Sequence, residues 1–90
     1  MISSKFITVT TAVDGTSFTA LPSAQAHFVH VLNNTGEDLA FKYSTDEGTF
    51  VLPANTAWTF RGLNNANQLL VKRADESATP VTLSSVEVEL

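Results

Sequence analysis

His27 and His30 are the chain's only imidazoles, and there is no cysteine to join them. On a strand, side chains three positions apart point to opposite faces, so the pair cannot share a metal ion unaided. A zinc site would need carboxylates brought from elsewhere. The expectation is one histidine on a sheet surface and one at an interface, with no metal and no cofactor. Asp46-Glu47 and Asp75-Glu76 are the next candidates, since paired carboxylates can serve glycoside hydrolysis or calcium binding. Both pairs lie in turn-like segments, where adjacent acids are ordinarily solvated. A catalytic pair also needs a cleft, and short loops give little material to build one. Serine and threonine are plentiful, but neither histidine is flanked by a pattern that would make one a nucleophile. The four glycines, at 15, 36, 48 and 62, are too scattered to form a phosphate-binding loop. The sequence therefore argues against an enzyme.

Aromatic residues offer a different chemistry, because their faces can stack on sugar rings while asparagine binds hydroxyls. Trp58 and Tyr43, beside Asn64, Asn65 and Asn67, form a candidate glycan-contact set. Against this, Trp58 and Phe60 share one strand face, the spacing of core residues, and a large aromatic pair supplies much of a small core's burial energy. Core placement is the first expectation for both, with Lys42 and Arg61 solvated.

Whatever these residues do, strands must position them. Period-two alternation dominates and no helical stripe appears. Phe6–Thr11 is rich in β-branched residues and runs to Asp14-Gly15, a hairpin signal, with Thr16–Leu21 as the return strand. Ala26–Leu32 and Leu39–Tyr43 read as two strands about a tight turn at Asn33–Gly36. Further strands follow at 49–52, stopped by Pro53, at 57–61 and at 69–73. In the last segment, apolar residues occupy odd positions to Leu83 and even positions from Val86, so one extra residue at Ser84-Ser85 predicts a β-bulge. Only residues 3–6 or the loop 62–68 could hold a helical turn. About eight short strands at spacings near ten residues predict an all-β fold: a small antiparallel β-sandwich, jelly-roll-like, with 1–90 as a single domain.

The composition limits the partners. Net charge is −4, and charged residues are 16% of the chain, with twelve threonines among the polar residues that replace them. An average soluble domain carries about 25% charged residues. A nucleic-acid binder needs a basic stripe, and Lys72-Arg73 is the only adjacent basic pair. The opening MISSKFITVTTAV has no apolar core of a signal peptide, and no stretch reaches the ~18 apolar residues of a membrane span. No nucleic acid and no membrane are expected. Asn33-Asn34-Thr35 matches a glycosylation sequon, which without a secretory signal reads as coincidence.

The strand Phe28-Val29-His30-Val31-Leu32 carries large apolar side chains on both faces. Paired with 39–43 in a symmetric register, it leaves Val29 and Val31 on the side away from Leu39 and Phe41. Slipped by one residue, it leaves Phe28 and Leu32 there. Leu69-Leu70-Val71 and Phe6-Ile7 show the same excess. Each further Val, Leu or Phe buried contributes about 1.5–3 kcal/mol, so such a surface drives association. The low charge density agrees, because interface cores are depleted in charge. Phe28, Val29, Val31, Leu32 and Leu70 are the expected interface, with a copy of the same chain as partner.

The pattern VLNNTGEDLAFKY…VLPANTAWTFRGLNNANQLLVKRADESATPVTLSSVEVE, over residues 26–90, resembles small accessory virion proteins of tailed bacteriophages. In these, a turn of the NNTG type follows a buried strand, and an LPAN turn precedes an aromatic-rich one. The resemblance implies a non-enzymatic structural protein, a capsid-decoration or cementing subunit or a fibre or tail component. It would be homo-oligomeric, as a trimer before a dimer, and would pack against virion proteins such as the major capsid protein. Its location would be the virion, assembled in the host cytoplasm. A carbohydrate-binding or host-receptor-binding module at a fibre or tail tip is the alternative.

Overall fold

The computed structural model describes residues 3–90. The strands are β1 (Ser4–Thr10), β2 (Thr19–Ala20), β3 (Phe28–Leu32), β4 (Leu39–Tyr43), β5 (Phe50–Leu52), β6 (Ala57–Arg61), β7 (Leu69–Arg73) and β8 (Thr82–Glu89). They form two four-stranded sheets, ordered β1-β8-β3-β6 and β2-β7-β4-β5. Every pairing is antiparallel. First pairs with last, second with seventh, third with sixth and fourth with fifth. The chain is thus one long hairpin, its tip at residues 44–49, rolled into a sandwich: a jelly roll.

That topology overturns two local expectations. β1 and β2 are not a hairpin about Asp14-Gly15, and β3 and β4 are not a hairpin about Asn33–Gly36; in both cases the two strands lie in opposite sheets. Turn-forming residues fix the local backbone, not the next strand's partner. Here they turn corners between layers about 10 Å apart. Gly15, with φ +72°, makes its corner against the chain's own backbone. A Cβ there would stand 2.3 Å from the Glu76 carbonyl oxygen and 2.4 Å from that of Ser77. Among consecutive strands only β4 and β5 pair. The bulge lies where the phase change puts it: Ile7 faces Val86 and Val9 faces Leu83, so Thr8 alone opposes Ser84 and Ser85. The extra residue lets Leu83, Val86 and Val88 all turn inward, where they are buried. A 3-10 turn at Ala66–Gln68 occupies the polar loop after β6, capped by Asn65.

The core lies between the sheets. Val29 and Val31 of β3, Leu39 and Phe41 of β4, Leu69 and Val71 of β7 and Phe60 of β6 meet there. The Phe41 and Phe60 rings are 4.9 Å apart. Asn33, leaving β3, is buried as well. Its amide donates to the carbonyls of Glu37 and Leu52, both at 2.9 Å. Its oxygen accepts from the Thr35 hydroxyl at 2.7 Å.

Arg73 ends β7 on the inward side and closes one corner. Its guanidinium grips Asp75 at 3.0 and 2.8 Å, meets Glu37 at 3.1 Å and donates to the Thr79 carbonyl at 2.8 Å. Asp75 and Glu76 are exposed turn acids as expected, yet each is paired, Glu76 with Lys72 at 2.8 Å. The Arg73 hydrogen bonds, with help from the Ser77 amide, hold the Asp75 carboxyl below its usual range.

Candidate functional site

Alternation along four strands generates a flat array on the outside of the first sheet. β3 sends Val29 and Val31 inward, which leaves Phe28, His30 and Leu32 outward. The registers then set three rows across β1, β8, β3 and β6. They are Ser4, Glu89, Phe28 and Arg61; then Phe6, Glu87, His30 and Thr59; then, beside the bulge, Leu32 and Ala57. Phe6 is 76% exposed, Leu32 46% and Phe28 38%. These are large apolar side chains on the face that a solvated sandwich would make polar.

His30 sits at the centre of the array. Its Nε2 lies 2.7 Å from a Glu89 carboxylate oxygen, and its Nδ1 lies 2.9 Å from the Thr59 hydroxyl. Phe28 stacks alongside, its ring parallel within 11° at 6.4 Å. The imidazole is thereby fixed between β6 and β8 by polar contacts on both sides. Next to it, the small residues Ala57, Thr59, Ser84 and Ser85 leave a groove of about 600 Å³ bordered by Phe6 and Leu32. The other histidine is elsewhere: His27 Nδ1 donates to the Leu63 carbonyl at 2.7 Å, just before β3. Among the described residues, no three His, Cys, Asp or Glu side chains stand together as a metal site would require.

The residues expected at an interface divide. Val29 and Val31, 0% and 2% exposed, are core residues of the chain itself and make no outer surface. The two registers considered for β3 fail together, since β3 meets β4 across the core rather than edge to edge. The outward pair is Phe28 and Leu32. Leu70 is half-buried on the outside of the other sheet, beside Ala20 and Lys42. There Phe18 lies under two ammonium groups, those of Lys42 and Lys72, at 5.1 and 5.0 Å.

No family model, curated protein or solved structure matches the chain.

The glycan-contact set is not brought into one place. Trp58 shares the core-side face of β6 with Phe60 but stands at the open edge of the sandwich, 52% exposed, with its ring 5.0 Å from Phe50 of β5. Its expected core position is therefore corrected: Phe60 fills the core, while Trp58, on an edge strand, has no sheet beyond it to cover the indole. Tyr43 packs edge-on against Phe60 and donates to the Arg61 carbonyl at 3.1 Å, beside a separate depression. Asn65 is engaged as a cap, accepting from the Asn67 amide at 3.0 Å and the Ala24 amide at 3.1 Å. Asn64 and Asn67 are exposed in the same loop. Phe6, Ala57, Thr59 and Glu87 belong to the array and were not expected there. The doublet Phe6-Ile7 signalled Phe6, since only one of two neighbours on a strand can face the core.

Proposed function

We propose that this protein is a non-enzymatic structural subunit of a tailed-phage virion, a homo-oligomeric decoration or cementing protein that acts through packing. The observation that carries the reading is the outer face of β1-β8-β3-β6, where Phe6, Phe28 and Leu32 stand exposed around a fixed histidine. Covering each contributes about 1.5–3 kcal/mol at most, enough together to hold a subunit in an assembly. The resemblance over residues 26–90 supplies the virion, and jelly rolls are a common architecture of viral capsid domains. Particles purified from cells in which the phage encoding this chain is assembled should contain it in many copies by mass spectrometry. Recovery only in the free protein fraction would overturn the reading.

A receptor-tip or carbohydrate-binding role is the second reading, favoured by the exposure of Trp58 at the open edge of the sandwich, against Phe50. Trp58 is the single tryptophan, so its fluorescence reports on that edge directly. A glycan panel that leaves the emission unchanged would remove this alternative.

A further inference from the structure

We infer that the outer face of β1-β8-β3-β6 pairs with the same face of a second copy about a two-fold axis running along the strands, between β8 and β3. The inference rests on the assembly reading above and names its partner and geometry. The face is divided between acids and bases. Its acids, Glu87 and Glu89, stand on β8, whereas His30 and Arg61 stand on β3 and β6. Among the described residues, Glu87 and Arg61 have no ion-pair partner within their own chain.

Two sheets packed face to face keep their strands within about 30°, so a two-fold axis can run along the strands or across them. An axis across the strands would lay β8 over the partner's β8, its acids Glu87 and Glu89 against acids, at a like-charge cost. An axis along the strands exchanges β8 with β3 and β1 with β6. Glu87 then lies over the partner's His30, and Arg61 comes within one strand spacing of the partner's Glu89. The same operation lowers Phe6, the most exposed aromatic of the array, towards Thr59 and the partner's groove. One patch that fits itself closes as a dimer, whereas a three-fold ring needs a second, different patch.

The absence of cysteine makes a clean test possible. Phe6→Cys and Thr59→Cys are made as separate variants, mixed, and treated with a bismaleimide of about 10 Å reach, the spacing of packed sheets. The mixture should cross-link between positions 6 and 59. Neither variant alone should do so, since like positions are three strand spacings, about 14 Å, apart across the sheet in addition to the gap. Phe6→Ser should weaken self-association by about tenfold or more in sedimentation while leaving the circular dichroism unchanged. An oligomer that fails to cross-link in the mixture overturns the pairing and leaves the virion reading standing. A chain that stays monomeric to hundred-micromolar concentration, yet is found in particles, does the same. Cross-linking by a chain absent from particles keeps the pairing and removes the virion reading.

Discussion

Asn33 is buried while its neighbour Asn34 is exposed, and the two differ in what they hold. Asn33 donates hydrogen bonds to the carbonyls of Glu37 and Leu52 and accepts one from the Thr35 hydroxyl, tying the β3–β4 corner to the end of β5. Asn34 reaches only the Ser85 hydroxyl, at 2.9 Å. Leaving buried carbonyls unpaired costs about 1–3 kcal/mol, so Asn33→Ala should lower the urea midpoint markedly. Asn34→Ala should stay within about 0.5 kcal/mol of the parent. The sequence could not separate them, because asparagine suits a turn at either position and only the three-dimensional environment distinguishes the two. The same scale fixes the acid limit of stability. Asp75 is held low by Arg73 first and the Ser77 amide next, and Asp14 by the Ser17 hydroxyl first and then the amides of Ser17 and Thr16. A carboxyl depressed in the folded state stabilises it above the unfolded value, about 3.9 for Asp, and that contribution disappears as the pH falls through the lower folded value. Thermal unfolding should therefore become easier below pH 4. Asp75→Asn should flatten that decline relative to the parent.

At the scale of elements, the alternation made the strands and the bulge legible, because burial on one face leaves a direct period-two record. Which strand joins which was not legible. Asp14-Gly15 and Asn33–Gly36 carry hairpin chemistry and still send the chain across the sandwich. The candidate face was half visible for the same reason: the doubled apolar residues of β3 were evident, but only the inter-sheet geometry decides that Phe28 and Leu32 face out. Corner and bulge can each be tested. Alanine at Gly36, with φ +85° and open space around a Cβ, meets only backbone strain of about 1 kcal/mol. Gly15→Ala adds collision with two carbonyl oxygens to the same strain, and should cost at least about twice as much in a denaturant titration. Deleting Ser84 removes the residue that resets the phase, so Val86 and Val88 can no longer face the core while Leu83 and β1 keep their register. That variant should lose cooperative unfolding and bind a hydrophobic dye.

For the whole molecule, stability depends on pairings between residues far apart in sequence, with β1 held by β8 and β2 by β7. Sandwiches of this kind fold in milliseconds to seconds, because long loops must close before distant contacts form. β8 matters most, since it lies between β1 and β3 and contributes Leu83, Val86 and Val88 to the core. A chain ending at residue 80 should show no dispersed amide spectrum, although it keeps all strands of the second sheet. During synthesis the order has a further effect. The strand that fills the middle of one layer is the last of the eight to leave the ribosome, so β1 and β3 emerge with no neighbour between them. Until β8 arrives, their unpaired edges are open to any passing β-segment, and a nascent polypeptide is the commonest one nearby. Crowded polysomes are thus where this fold is most vulnerable to going wrong, and where a chaperone that shields bare strand edges would help it most.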